Sequence, residues 1–297
     1  MKVGDTMNRY VVIDIETTGQ STKDNDKIIE IGMVVIDNGS ITDTFSSLFH
    51  PHKSIPSFIT KLTGITNTDV QNQPVFNEKI DEINRFIGNS YIIAHNIPFD
   101  VGFLNQEFKN AGYSGFNNPV LDTVELSRIF YPQAPSYKLG RLSSYLEMEH
   151  DAPHRALSDA LVTAEIFLKI KQKIKRLPYE TITHLLNIEK GLTSDLYEIL
   201  MEEQDALAFS VEEPENMEII GGLAFKKGED NNNEITDTAD MSFGEYLDAV
   251  YGEDGSMKNQ KESFEPRTGQ RTMSESVFDS FASKKHALIE EIGRAHV

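Results

Sequence analysis

None of the 297 residues is cysteine, which excludes a disulfide framework, a thiolate zinc site and a cysteine nucleophile together. Any metal must then sit on oxygen or imidazole. The chain also has no stretch of about 18 consecutive apolar residues, and residues 1–9 lack the apolar centre of a secretory signal. Neither a membrane span nor an export signal is expected, so the chain is expected to be cytoplasmic, with no membrane partner. A third absence concerns nucleotides. No Gly-x-x-x-x-Gly-Lys-Ser/Thr occurs anywhere, and without that backbone cradle and lysine an ATP phosphate has no seat.

Positive charge is scarce as well: 28 basic against 47 acidic side chains leave a net charge of −19, which at face value argues against a nucleic-acid binder. The average hides a strongly uneven distribution. Residues 1–176 carry 18 basic and 21 acidic side chains, residues 177–255 carry 3 and 20, and residues 256–297 return to a net of +1. The acidity belongs to one middle stretch, which suggests three segments with different tasks.

The first segment is patterned as an α/β domain. Residues 10–16 form a short apolar run ended by Thr17-Thr-Gly19, as expected of a buried strand. Residues 28–37 and 40–49 flank Asn38-Gly39, a strong hairpin signal, and complete a three-strand meander. Helical spacing over 74–86, a strand at 91–94, a helix over 98–111, a strand at 120–121 leading into a helix to about 130, and helices over 139–146 and 155–175 follow. The fold expected is one mixed sheet flanked by helices. The first domain is set at residues 9–176. Residues 177–255 are expected to be an acidic spacer, helical to about 203, with 212–255 a solvated linker or flexible acidic segment.

Within this pattern a few carboxylates stand out. Asp14 and Glu16 lie two apart at the end of an apolar strand, and alternation puts both on one face. Side by side in an apolar setting they repel unless protons or cations compensate them. The plain alternative is the wet end of a strand. Asp100 falls in the first turn of the helix that follows strand 91–94, and Asp159 falls in the early turns of the helix after His154. Each has an ordinary alternative, complementing the helix dipole, worth ~0.3–1 kcal/mol. His154 alone reads as an ordinary histidine, and His50, His52 and His95 as loop or core residues. The basic run over 169–176 reads as a solvated helix face that could touch phosphate.

In combination these pieces are more informative. Asp14-Ile-Glu-Thr-Thr-Gly19, Ala94-His-Asn96 with Phe99-Asp100, and His154-Arg-Ala-Leu-Ser-Asp159, with Leu62-Thr-Gly-Ile65 and Leu121-Asp-Thr123 between them, resemble the motifs of the DnaQ-like DEDDh exonuclease family. The resemblance covers about residues 9–175 and implies an RNase H-like fold. It implies further that Asp14, Glu16, Asp100 and Asp159 ligate two divalent cations, Mg²⁺ or Mn²⁺, which clamp a scissile phosphate. His154 would take a proton from the attacking water, and its ordinary pKa of ~6.5 suits that task. Thr17 and Thr18 through their backbone, Leu62 as a wedge on the terminal base, Asn96, and Phe99 beside the terminal nucleotide would hold the substrate. For Leu62 and Phe99, core packing is an equal alternative, and Thr63 stands where some relatives carry a polar ring. The activity implied is 3′ to 5′ release of nucleoside 5′-monophosphates from the free 3′ end of single-stranded DNA, with RNA possible. Two alternatives remain: a proofreading subunit of a polymerase, or a non-catalytic module that holds DNA ends for a helicase.

The tail supports a particular setting. Phe264-Glu-Pro-Arg-Thr-Gly-Gln270, with helical apolar spacing over 273–281, resembles the start of a helicase of the DinG type, joined in that family to such an exonuclease domain. Residues 256–297 are therefore expected to be a truncated helicase start, with 262–297 disordered or loosely docked and ATP used only by a full-length parent. Residues 291–297 are expected to be non-native, since a familiar sequencing-adapter string translates to Glu291-Ile-Gly-Arg-Ala-His-Val297.

Overall fold

A computed structural model describes residues 9–208, 217–220, 223–226, 241–252, 255–257 and 268–283. The chain divides into two units, Met1–Lys227 and Gly228–Val297. The first is built on a five-stranded sheet in the order β3-β2-β1-β4-β5. Its strands are β1 (Arg9–Thr17), β2 (Ile28–Asp37), β3 (Ser40–Leu48), β4 (Tyr91–Ala94) and β5 (Val120–Asp122). β1, β2 and β3 form the expected antiparallel meander, and β4 and β5 add in parallel on the other side of β1. At the β2–β3 turn both Asn38 (φ 50°) and Gly39 (φ 78°) are left-handed, the backbone a two-residue primed turn demands.

Helices cover both faces of this sheet. They are α1 (Ser57–Thr63), α2 (Asn67–Val70), α3 (Phe76–Ile87), α4 (Ile97–Asn110), α5 (Thr123–Phe130), α6 (Leu139–Tyr145), α7 (Ala156–Ile174), α8 (Tyr179–Ile188) and α9 (Tyr197–Ala208). Strand alternation sorts the core in two. Val11, Ile13 and Ile15 pack with Ile31 and Met33 under α3 and α4, while Tyr10 and Val12 pack with Val34 and Ile36 under α7. The short α1 and α2 sit on a separate small cluster of Ile29, Ile55, Ile59, Ile65 and Val70.

The stretch from 179 to 208 is helical, as expected to about 203, but it packs into the first unit instead of standing apart as a spacer. Ile182, Leu196, Ile199 and Leu200 are fully buried in the α7-side core. The chain before α9 also closes the open edge of the sheet: the Val120 N–H donates to Asp195 Oδ2 (2.7 Å), and the Asp195 N–H donates to the Val120 carbonyl (2.8 Å). Glu125 accepts the N–H groups of Thr193 and Ser194, so part of the acidic composition serves this junction. Edge coverage of this kind removes a site for unwanted strand pairing. Further on, where a flexible segment was expected, Met217–Ile220 and Leu223–Lys226 pair as the antiparallel strands β6 and β7.

In the second unit, α10 (Phe243–Tyr251) begins with a capping box of Ser242 and Glu245. The helical spacing of the tail appears as α11 (Thr268–Ser283), whose Phe278 stacks on Phe243 at 4.0 Å and whose Arg271 pairs with Asp248. Within 262–297 the described residues 268–283 are thus helical, and the rest lies outside the described residues. The segment 264–267 and the suspected non-native residues 291–297 lie outside the described residues. Among those described, no helix is long and apolar enough to cross a membrane.

Candidate active site

Asp14 and Glu16 leave β1 on the same face as Tyr10 and Val12, toward α7. What brings α7 close enough is a glycine. Gly32 lies directly opposite Asp14 in the β1–β2 ladder, and a Cβ there would stand 2.2 Å from the Leu157 nitrogen and 2.3 Å from the Ala156 carbonyl carbon. The first turn of α7 therefore rests on bare backbone. That contact carries Asp159, only 8% exposed, over the strand end.

Asp100 arrives from the other side for a different reason. β1 pairs with β4 only as far as Val12 opposite Ile93, so the residues of β1 beyond that point have no strand partner there. Asp100, 4% exposed in the first turn of α4, accepts the Ile15 N–H at 3.1 Å and so replaces the missing strand. The same turn begins at Asn96, held left-handed (φ 87°) with its N–H donated to Asp122 Oδ1 at 3.1 Å.

The ligand atoms of Glu16, His154 and Asp159 all lie within 4.8 Å of one another. Asp14 and Asp100 adjoin this group electrostatically. Burial pushes the Asp14 carboxyl well above the usual range, and Asp100, Asp159, Glu16 and Glu30 push it further. Asp100 is raised mainly by burial, against the lowering effect of the Ile15 N–H. Glu16 is pushed up to about 8 by burial and by Asp159 and Glu30, with Arg155 pulling the other way. Crowded acids in this state hold protons for want of a stronger positive charge. Hard oxygen donors with one imidazole, and no sulfur, fit a divalent cation of the magnesium or manganese type.

Three residues that the sequence reading did not single out complete the site. Glu30, 2% exposed, faces Glu16 across the ladder and grips Arg155 with both oxygens (2.6 to 3.2 Å). Its Oε2 also accepts the Ala156 N–H at 3.0 Å, which fixes the chain just after His154. His154 itself is exposed and left-handed, with φ 64°. His150 is the third. Its Nε2 lies 2.7 Å from Asp159 Oδ1, in a buried setting where Nδ1 has no partner.

The expected substrate-contacting residues differ in how free they are. The Thr17 hydroxyl donates to the Gly19 carbonyl, and the Thr18 hydroxyl donates to Asp26 (3.1 Å) and accepts the Lys27 N–H (3.0 Å), so both are committed internally. Leu62 is 50% exposed on α1, which leaves core packing unsupported for it. Phe99 is half-buried against Phe103. Asn96 is exposed. His95 is locked between Thr123 Oγ1 (2.9 Å) and the Tyr137 carbonyl (2.8 Å). In the basic run, Lys171 lies 3.0 Å from the Tyr10 hydroxyl and Lys173 bonds to the Phe130 carbonyl at 2.7 Å, so these two hold the helix down.

An acidic cluster at the end of the central strand of a mixed sheet, with a histidine at its rim, defines a class, and the comparisons agree. Residues 11–167 match the exonuclease family RNase_T, and the chain belongs to that family. It is 42% identical to the 3′-5′ exonuclease DinG of Bacillus subtilis (strain 168) over 286 residues, 95% of this chain but 30% of that protein. It is 43% identical to the PolC-type DNA polymerase III of Clostridium perfringens over 188 residues, 61% of this chain and 13% of that protein. The chain thus spans less than a third of these relatives. In fold it is similar to E. coli Exonuclease I in complex with a dT13 oligonucleotide (TM-score 0.51, 18% identity, 55% of this chain and 41% of that one). It is also similar to the nuclease domain of 3′hExo, a DEDDh family member bound to rAMP (TM-score 0.50, 21% identity, 57% and 94%). Membership of the family implies divalent metal ions at the acidic cluster, and the donor set described above suits them.

Proposed function

We propose that this chain is a metal-dependent 3′ to 5′ exonuclease that releases nucleoside 5′-monophosphates from the 3′ end of single-stranded DNA. The observation that carries this reading is the crowding of Asp14, Glu16, Asp100 and Asp159, where burial and mutual repulsion raise Asp14, Glu16 and Asp100 for want of a compensating cation. Two divalent cations on those four residues, Mg²⁺ or Mn²⁺, would supply the positive charge that the scissile phosphate and its leaving oxygen require.

The chain's own residues do the rest. His154 stands at the rim, where a ring nitrogen takes a proton from the attacking water and returns it to solvent. The Glu30–Arg155 clamp holds the backbone beside it, so the imidazole meets the water in one place. Leu62, Phe99 and Asn96, with the strand end at Thr17 and Thr18, would cradle the terminal nucleotide. The catalytic domain on this reading continues past residue 176 through α9. A cytoplasmic setting goes with this reading.

Similarity to the DinG relative runs over 95% of the chain, against 61% for the polymerase, which favours a DinG-type nuclease over a proofreading subunit. The test is degradation of oligonucleotides labelled at either end, with Mg²⁺, with Mn²⁺ and with a chelator. A 3′ label should appear at once as mononucleotide, a 5′ label should pass through a ladder of shortening strands, and the chelator should stop both. Cleavage that persists in chelator, or that starts from the 5′ end, would overturn the reading.

A further inference from the structure

Outside the acidic site, the loop from β3 to α1 and the helix α2 enclose a surface pocket of about 420 Å³. His50, His52, Lys53, Asn67, Thr68 and Gln71 line it, and no carboxylate is among the described lining residues. We propose that this pocket is a phosphate subsite for the substrate strand, upstream of the nucleotide being removed. This rests on the nuclease reading above.

The donors are set in advance. The His52 N–H donates to His50 Nδ1 at 3.2 Å, which leaves the neutral His50 ring with its proton on Nε2, a donor. The His50 N–H is tied to the Pro74 carbonyl (3.0 Å), and Asn67 Oδ1 accepts the Ile55 N–H (2.9 Å), which commits the amide oxygen and leaves the amide nitrogen as the donor end. Beneath lies the apolar cluster of Ile55, Ile59, Ile65 and Val70, which keeps α1 and α2 from shifting. The His50 imidazole N–H and the Asn67 amide N–H, with hydroxyls around them and the Lys53 ammonium, itself paired with Asp26 at 3.2 Å, at the edge, suit a phosphodiester oxygen.

The position suits a strand rather than a free anion. Lys53 Nζ and the Thr18 hydroxyl both bond to Asp26 Oδ1, at 3.2 and 3.1 Å. One carboxylate oxygen therefore separates the pocket wall from the turn that ends β1, beside the acidic site. α1, which carries the exposed Leu62, follows directly from the pocket-lining loop. On this proposal a strand whose 3′ end meets the carboxylates passes this corner, where a wall without carboxylates holds one of its phosphates.

Charge insertion tests the subsite without touching the catalytic residues. Gln71→Glu and Thr68→Glu change exposed side chains at the end of α2 and within it and place an acid at the wall, and melting curves check that the fold is kept. Anisotropy in Ca²⁺ gives the affinity for single strands independently of cleavage, so an inactive protein would count against the nuclease reading and not against the subsite. For strands of about ten nucleotides, near the site sizes of single-strand binders, affinity should fall roughly 3- to 10-fold, and the salt slope should drop by about 0.7, the value of one lost phosphate contact. A dinucleotide should bind both variants as it binds the parent. His52→Asn, which tolerates the left-handed backbone, should act in the same direction. Unchanged affinity of the long strand in both acidic variants would overturn the proposal. So would inorganic phosphate shifting the His52 resonances at low concentration without competing with the strand, which would mark a free-anion site.

Discussion

Two histidines approach Asp159, and their surroundings differ. His154 is exposed, with a ring nitrogen within 4.8 Å of the nearest Glu16 and Asp159 oxygens, where it can take a proton and pass it to water. His150 is buried and directs Nε2 at Asp159 Oδ1, so it orients the carboxylate. Replacing His154 with alanine should lower turnover by roughly 10² to 10⁴ with metal affinity kept, the usual worth of a general base. Replacing His150 with alanine should weaken Mn²⁺ binding by about 10- to 100-fold, the usual cost of losing a residue that holds a metal ligand, and glutamine should rescue part of it. Titration calorimetry beside initial rates separates the two. If His154→Ala lost metal affinity as severely as turnover, the histidine would be a ligand instead.

The elements around the site show what a linear reading can and cannot see. Asp14 and Glu16 were legible as a pair because a strand has a period of two, and Asp100 and Asp159 because carboxylates in first helical turns stand out beside a strand end. Glu30 was not. It sits inside the apolar run of β2 and acquires its meaning from Arg155, 125 residues later, a pairing no periodicity announces. α1 and α2 are too short to show a helical period, although α1 carries Leu62. The helical spacing of 179–203 was legible, but its packing was obscured by its own charge, since counting acids over 177–255 hides the apolar Ile182, Leu196, Ile199 and Leu200. At about 1.5–3 kcal/mol for each fully buried aliphatic side chain, those four approach the net stability of a whole domain. A chain ending at residue 176 should consequently melt far below one ending at 208, or aggregate. Equal melting temperatures would return the boundary to the end of α7.

At the scale of the whole molecule, the crowded acids make stability depend on pH. Glu16 has an ordinary value of 4.5 and stands at about 8 in the fold, so between those pH values the folded chain binds more protons than the unfolded one. Stability from this group is therefore full below about pH 4.5 and declines as pH rises toward 8, and the raised Asp14 and Asp100 act in the same direction. The melting temperature of metal-free protein should fall across that window, and saturating Mn²⁺ should restore it, most at the alkaline end. A melting temperature that climbs with pH in the absence of metal would mean that the carboxylates are not crowded as described.

The central claim is that the four carboxylates form one divalent-cation site. Calorimetric titration of the metal-free protein with Mn²⁺ at pH 7, run in two buffers of different ionisation enthalpy, tests it most directly. Binding should release protons, because the cation displaces those held by the raised acids. Asp14→Asn and Asp100→Asn should each abolish both the binding and the proton release while the fold persists. Mn²⁺ that binds without proton release, or binds these variants as tightly as the parent, would contradict the assignment.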